Sequence, residues 1–234
     1  MTVRCIQAKM DLAESFVQLA EEMPIDHITV NMVADRIGKH RKTFYYHFSN
    51  KDQLIIWLFR CELGIALEQR FPAESLIYEH GDGPFATFPY YLRCTDGDDR
   101  IYNARFFDAL YGCFERRRAY YRNVFSKLGP GTLEHYMLDL YQPAIEDDIR
   151  YLLDRELRKR DIIVQGSARR AIDNACSAGF LADFFTGAFV SRFIQRLNYS
   201  AMGRTIDEIS PYENVIHDSL GWLVHQQVCR LVRE

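Results

Sequence analysis

The stretch that decides the fold runs from Ile28 to Ile55 and reads ITVNMVADRIGKHRKTFYYHFSNKDQLI. Thr29 has a side chain that caps helices, and it precedes a short apolar face, so the sequence predicts a helix that begins after it. Gly38 is expected to end that helix, because glycine adopts the left-handed conformation that often follows a last turn. A second short helix is predicted over roughly Arg41 to His47. Two short helices joined by so brief a turn are typical of a helix-turn-helix.

A further helix is predicted on each side of this motif. The upstream helix has apolar residues at helical spacing, and Pro24 stops it. Its apolar face is formed by Ile6, Met10, Ala13, Val17 and Ala20. The downstream helix is predicted to begin after Ser49, with Asp52 three residues later as in a capping box.

Positive charge is concentrated on the motif. The run Arg36–Lys51 contains five Lys or Arg and no Asp or Glu, although the whole chain has 29 basic and 32 acidic residues and a net charge of −3. Cations neutralise DNA phosphates, and hydroxyl groups donate to phosphate oxygens, so this helix is predicted to bind duplex DNA. Arg41, at the start of the helix, is predicted to reach a guanine edge. The alternative is that this helix is only a solvated basic edge. Phe44 and Phe48 are predicted to form a small core instead of contacting DNA.

Residues 5 to 60 resemble the N-terminal domain of TetR-family transcriptional regulators. The resemblance rests on the run Thr43–Phe48 and on the Ser-x-Lys-x-x-Leu start of the next helix, at Ser49, Lys51 and Leu54. It implies that the third helix enters the major groove and that the lysine at the start of the fourth binds phosphate. The DNA-binding residues indicated by the sequence and the resemblance are Thr29, Asn31, Lys39, His40, Arg41, Lys42, Thr43, Tyr45, Tyr46, His47 and Lys51. Many members carry Val-Ser where this chain has Lys39 and His40, so the usual serine cap is missing.

The rest of the chain also reads as helical, which makes the expected fold all-α. A helix-turn-helix domain is predicted over 1–53 and a larger helical domain, for effector binding and dimerisation, over 54–234. Pro143 is expected to kink or interrupt one of the larger domain's helices. Its periodic segments lie near 85–95, 99–127, 132–160, 167–197 and 212–232.

The resemblance implies that the last two helices, about 167–197 and 212–232, form a homodimer. Two copies of the motif meet successive major grooves about 34 Å apart, which compensates for the small contact area of one copy. Periodicity alone does not distinguish this interface from an intramolecular core.

The middle of the chain is rich in aromatic residues, and these predict a pocket for a partly apolar effector. The alternative is that the rings simply fill the core. The predicted lining residues are Phe88, Tyr91, Phe107, Tyr111, Phe114, Tyr121, Tyr136 and Phe180.

Other classes of function find little support. The motifs GxSxG, GxGxxG and the P-loop are absent, so an enzyme is not expected. His225 and Cys229 are four residues apart, but two ligands do not make a metal site, and neither a metal nor a cofactor is expected. The sequence shows no CxxC pair, signal peptide or membrane span, which favours reduced cysteines in the cytoplasm.

The resulting prediction is a homodimeric transcription regulator of a palindromic operator, without a membrane partner. Repression is the commoner mode in the family that the chain resembles, and a small effector is expected to change the separation of the two recognition helices. One alternative is a regulator whose larger domain receives a protein partner instead. The other is an enzyme that uses the aromatic pocket.

Overall fold

The computed structural model describes residues 3–93, 104–161, 177–199, 218–219, 221–226 and 228–230. Within these residues the chain is mainly helical, as predicted, with one short pairing of two strands. The helices are α1 (Val3–Glu22), α2 (Val30–Arg36), α3 (Arg41–His47), α4 (Lys51–Arg70), α5 (Ala104–Arg116), α6 (Arg118–Val124), α7 (Leu133–Arg158) and α8 (Ala178–Tyr199). Short 3-10 turns lie at Ile25–His27 and Ala73–Ser75, and β1 (Leu76–Ile77) pairs antiparallel with β2 (Tyr91–Leu92), Leu76 opposite Leu92.

The N-terminal helices join the larger part of the molecule through α4. This helix begins at the helix-turn-helix and continues for 20 residues into the larger core, with Leu54, Leu58 and Leu67 buried along it. The domain boundary predicted between residues 53 and 54 therefore lies inside one continuous helix.

The prediction of a helix over 85–95 is wrong for the residues described there. Residues 84–87 form turns, and Tyr91–Leu92 is β2. Pro89 lacks an N–H group and disfavours helical backbone at Phe88. The Tyr90 N–H instead donates to the Ile77 carbonyl at 2.9 Å, which ties the segment to β1.

The predicted helix over 99–127 is two helices in the described part of this segment. The backbone leaves the helical conformation at Arg117, with φ −128° and ψ 45°, and α5 ends there as α6 begins. The guanidinium of Arg117 is held by Glu14 of α1 and Glu62 of α4. Periodicity could not reveal this break, since both partners are distant in sequence.

The predicted helix over 132–160 corresponds to α7, which Thr132 caps by accepting from the His135 N–H at 3.5 Å. The helix continues through Pro143, so an interruption there was a wrong expectation. Tyr141 and Ala144 on either side are buried, and this packing holds the helix together despite the lost N–H.

The last two predicted helices are described only in part. α8 covers most of the segment 167–197, and residues 221–226 and 228–230 of the segment 212–232 are helical. Residues 218–219 are helical as well, whereas residues 167–176, 212–217, 220, 227 and 231–232 of these segments lie outside the described residues. α8 packs along α7 and contributes Phe189, Val190 and Leu197 to the core.

Candidate nucleic-acid interface

The turn between α2 and α3 is built by local backbone contacts. Thr29 caps α2, its hydroxyl accepting from the Met32 N–H at 3.2 Å, as predicted. Gly38 has φ +63°, the left-handed conformation for which glycine was expected. The Gly38 N–H donates to the Asp35 carbonyl and the Lys39 N–H to the Ala34 carbonyl, the two hydrogen bonds of a Schellman motif. The turn is thus set by the sequence between residues 34 and 39.

His40 supplies the cap that the missing serine would have given. Its Nδ1 accepts from the Lys42 N–H at 3.2 Å at the start of α3. An unprotonated imidazole nitrogen can accept this bond in place of a hydroxyl. α3 therefore begins at Arg41, where the sequence placed it.

A small aromatic core supports α3 from below. Phe44 and Phe48 are buried, as predicted, with ring centroids 5.8 Å apart, and Phe48 lies 5.7 Å from Trp57 of α4. The Ser15 hydroxyl of α1 donates to the Val33 carbonyl of α2 at 2.8 Å, a buried hydrogen bond between helices. These contacts fix the face that α3 turns outward.

The start of α4 corrects the predicted cap. Asn50, not Ser49, is the N-cap, because its side-chain oxygen accepts from the Gln53 N–H at 2.8 Å. The Gln53 side chain accepts in turn from the Ser49 N–H and hydroxyl. The capping arrangement is present but shifted by one residue, since an amide side chain serves as well as a hydroxyl.

The predicted DNA-contacting side chains all reach the surface. Thr43, His47 and Lys51 are half-buried, and the other eight are exposed, with Tyr46 82% exposed. Lys39, Arg41 and Lys42 form no ion pair within the described part of the chain. Arg36 differs, because it pairs with Glu22 at the end of α1 through two hydrogen bonds of 2.5 and 3.2 Å. Unlike Arg36, these three cations at the turn and on α3 therefore remain available to phosphate.

The C-terminal end of this face gains a cation that the sequence reading missed. Lys9 of α1 lies 5.5 Å from the Phe48 ring and 5.4 Å from the Trp57 ring. Burial and, secondarily, the charge of Lys9 lower the pKa of His47, which favours a neutral imidazole at pH 7. His47 is thus suited to a hydrogen bond with DNA instead of a charge contact. Only the packing of α1 beside α3 could identify Lys9.

Lys51 holds the motif together as well as facing its surface. Its ammonium donates to the Ile25 and Ile28 carbonyls at 2.9 and 2.7 Å. Partial burial lowers the pKa of Lys51. An ammonium has three donors, so one remains for a phosphate oxygen.

The motif is attached to the larger part of the molecule at α6. Asn123 donates to the Ala20 and Met23 carbonyls at 2.6 and 2.7 Å and accepts from the Ile25 N–H at 3.2 Å. Arg117, just before α6, forms a two-pronged pair with Glu14 at 2.6 and 2.9 Å. The hydrogen bonds that this guanidinium donates to Glu14 are the first cause that raises its pKa.

The residues predicted to line an effector pocket do not form one set. Two of them, Phe88 and Tyr136, lie beside the buried Arg60 of α4. Phe180 stands apart on α8, where it is 69% exposed. The remaining five are buried and pack against other rings, with Phe114 and Tyr121 centroids 4.8 Å apart. These five are Tyr91, Phe107, Tyr111, Phe114 and Tyr121. In this structure they fill the core, the alternative that the sequence left open.

The His225–Cys229 pair is engaged with α7. His225 Nδ1 lies 3.1 Å from Glu156 Oε2, and Arg160 contacts both Glu156 at 2.9 Å and the Cys229 sulfur at 3.3 Å. No group of three metal-ligating side chains is found within the described ranges. Cys61, Cys113 and Cys229, the cysteines whose side chains are described, are free thiols. Among the described helices, none has the length and apolar character needed to cross a membrane.

Comparison with known proteins identifies the N-terminal part. Residues 17–56 match the family model described as "Bacterial regulatory proteins, tetR family". This match runs from the last turns of α1 to the first turns of α4 and confirms the resemblance carried by Thr43–Phe48. No curated protein matches the chain. Among solved structures, the chain is similar to one titled "Dihydroxyacetone kinase operon activator DhaS", at 14% identity over 96% of each chain with a TM-score of 0.43.

Proposed function

We propose, on the match of residues 17–56 to the tetR family model, that this chain is a tetR-family regulator with an N-terminal DNA-binding helix-turn-helix, and that it is a cytoplasmic repressor that binds a palindromic operator as a homodimer. In this proposal a small, partly apolar effector releases the protein from DNA, and the chain performs no catalysis. The observation that carries the proposal is the outer surface of the turn before α3 and of α3 itself. There, Lys39, Arg41 and Lys42 stand exposed and without ion pairs among the described residues.

Each part of this face has a distinct role in the proposal. Lys39, Lys42 and the third donor of Lys51 contact phosphates, which position the protein without reading sequence. Arg41 lies at the start of α3, the end of a recognition helix that reaches base edges. Tyr46 offers its hydroxyl from an almost fully exposed ring.

The proposed homodimer is supported by the outer face of α8. Phe180 and Phe184, one turn apart, are 69% and 61% exposed, and Trp222 in the last helical segment is 61% exposed. A Cβ added at Gly187, one turn further along α8, would meet nothing within 4 Å. Large rings beside a small residue let two helices approach closely, so a second copy of the chain fits this face.

The first experiment is the selection of bound DNA from a random pool at moderate salt, with the purified full-length protein. We expect a palindrome whose half-sites are one helical turn apart. Enrichment without a motif would contradict a sequence-specific reader. The same protein, measured by sedimentation, is expected to be a dimer.

The dimer surface is tested by Phe184→Asp, which places a charge on the exposed apolar face. We expect a monomer with at least about tenfold weaker operator binding, since each half-site then binds alone. Leu128→Asp is the matched control, because Leu128 is 55% exposed on the turn between α6 and α7. Equal dimerisation of both variants would show that the interface lies elsewhere.

The second candidate is a regulator whose larger domain binds a protein partner instead of a small effector, and the experiments must distinguish it from the first. The five buried pocket residues, which fill the core in this structure, are the observation in its favour. A small molecule that binds the purified protein and weakens operator binding would exclude the need for a protein partner.

A further inference from the structure

Arg60 of α4 is a charged side chain with no exposed surface, held in a cage of aromatic rings. Its guanidinium carbon lies 5.0 Å from the Phe85 ring centroid and 5.4 Å from that of Tyr90. Its Nη2 donates to the Phe88 carbonyl at 2.9 Å. The Nε has no hydrogen-bond partner although it is buried. A buried cation of this kind requires an anion, because an unpaired charge in the interior is strongly destabilising.

The anion is the carboxylate of Glu79, which forms an ion pair with Arg60 Nη1. The Tyr136 hydroxyl contacts both members of the pair, because it accepts from Arg60 Nη1 at 2.7 Å and donates to Glu79 Oε1 at 3.5 Å. A carboxylate oxygen therefore meets two donors that project from α4 and α7, the rigid elements of the larger domain. Burial, chiefly, raises the pKa of Tyr136, so the hydroxyl keeps its proton at neutral pH.

Glu79 reaches the Arg60 guanidinium and the Tyr136 hydroxyl from a segment that belongs to none of the helices. It follows β1 in an irregular segment whose tip, residues 80–84, is exposed, and its own side chain is 31% exposed. Gly81 in this tip has φ +95°, a conformation that glycine adopts without strain. The two donors thus belong to helices, Arg60 buried and Tyr136 half-buried, whereas the carboxylate that they bind comes from a surface turn.

We propose that Arg60 and Tyr136 form the recognition site for a small effector that carries one carboxylate and an apolar body, and that Glu79 occupies this site in the effector's absence. This assignment rests on the proposed function, since it names the chemistry of the effector. Exchange of one carboxylate for another leaves Arg60 paired throughout, so it does not incur the cost of an unpaired buried charge. The apolar body of the ligand takes the place of the turn against Phe85 and Tyr90.

Glu79 acts in this scheme as a tethered competitor. A group on a short linker has an effective concentration in the millimolar range, and a free ligand must exceed it in affinity to enter. Removal of the Glu79 charge therefore raises the apparent affinity for a carboxylate. The same reasoning predicts no gain for a neutral analogue, which cannot pair with Arg60.

The experiment compares the full-length protein with Glu79→Gln by titration calorimetry, with benzoate as the probe and benzamide as its neutral analogue. We expect benzoate to bind Glu79→Gln at least about tenfold more tightly than the unaltered protein, and benzamide to gain nothing. Glu74→Gln is the matched control, since Glu74 is exposed in the same segment and is expected to leave benzoate affinity unchanged. Equal concentrations of chloride in all samples exclude a general salt effect.

Two further variants keep the assignment falsifiable. Tyr136→Phe in the Glu79→Gln background removes one donor but keeps the ring, and benzoate affinity should fall several-fold. Glu79→Asp keeps the charge that pairs with Arg60 but shortens the side chain. This variant replaces Glu79→Gln if the latter does not fold, and its gain in benzoate affinity should be smaller than that expected of Glu79→Gln. Equal benzoate affinity in all folded variants, or equal affinity for benzamide, would show that the Arg60–Glu79 pair is only structural.

The regulatory part of the assignment has its own readout. Benzoate is expected to weaken the binding of Glu79→Gln to the selected operator at concentrations that saturate the site. If benzoate binds and operator affinity stays constant, the effector role is overturned. Because the titration uses no DNA, a failure of the carboxylate site and a failure to select an operator remain distinguishable.

Discussion

Asn123 offers the sharpest test of how the DNA-binding motif is attached to the rest of the molecule. α1 ends at Glu22, so the last carbonyls of that helix lack partners within it. The Asn123 side chain donates to two carbonyls there, those of Ala20 and Met23, and accepts from the Ile25 N–H of the following turn. Asn123→Ala removes all three hydrogen bonds at once.

The magnitude follows from the number of bonds and their access to water. A hydrogen bond contributes about 1 kcal/mol net, which gives roughly 3 kcal/mol for three. An open cleft of about 540 Å³, lined by Ala119, Arg122, Asn123, Ser126 and Asn198, lies beside the side chain. Water from this cleft can satisfy part of what the variant leaves unpaired, so we expect a loss of about 2 kcal/mol in the free energy of unfolding. For a chain of this length, that corresponds to a fall of roughly 4 to 8 °C in Tm.

The measurement is thermal and urea unfolding at equal protein concentration, because the stability of the proposed dimer would depend on concentration. Ser126→Ala is the matched control, since its exposed hydroxyl donates to the nearby Asn123 carbonyl at 2.7 Å and forms no other hydrogen bond with the residues that the structure describes. We expect that control to change stability by less than about 0.5 kcal/mol. Asn123→Asp should cost at least as much as alanine, because a carboxylate would face the Ala20 and Met23 carbonyls without a donor. If Asn123→Ala and Ser126→Ala unfold alike, the assignment of this contact is refuted.

Three further predictions concern charge. Glu156 is largely buried, which raises its pKa, but hydrogen bonds from Arg160 and His225 outweigh this and lower the pKa to about 2 from 4.5. The group therefore stabilises the fold by up to about 3 kcal/mol above pH 4.5, and this is lost as the pH falls towards 2. Glu156→Gln should flatten the acid limb of a Tm-against-pH curve, and a curve parallel to that of the unaltered protein would contradict this. Lys51→Ala should weaken binding to all DNA sequences alike and reduce the salt slope by about 1, whereas a loss confined to one sequence would rule out a phosphate contact. Arg41→Ala should relax base preference at one position of each half-site in repeated selection, and an unchanged motif would exclude direct readout.

The helix-turn-helix could be predicted from sequence because its determinants are local. The Thr29 cap, the left-handed Gly38 and the limits of α3 each depend on residues within a few positions of one another. The errors in this region have the same local character, since Asn50 replaced Ser49 as the cap of the next helix. The sequence did not predict His40 as the N-cap of α3, because histidine is seldom found at N-cap positions. Its ring nitrogen nevertheless accepts the hydrogen bond from the Lys42 N–H.

The larger domain was less predictable because its decisive contacts join distant residues. The break at Arg117 accompanies pairs with Glu14 and Glu62, which are 103 and 55 positions away. Arg60 reads in the sequence as one more cation on a helix, and only the fold brings Glu79 and Tyr136 to it. The aromatic residues stand out in the sequence as a group, but periodicity could not separate rings that fill the core from rings around a buried cation.

Two connections between the larger domain and the DNA-binding motif follow from these contacts. α4 carries Arg60 and, nine residues earlier, Lys51, whose ammonium holds the Ile25 and Ile28 carbonyls of the motif. At a rise of 1.5 Å per residue, these two positions are roughly 14 Å apart along the axis of one helix. α6 holds the same part of the motif from the other side through Asn123. A ligand that shifts α4 relative to α6 must therefore strain one of these attachments, so Asn123→Ala should weaken the effect of benzoate on operator binding as well as the stability of the fold.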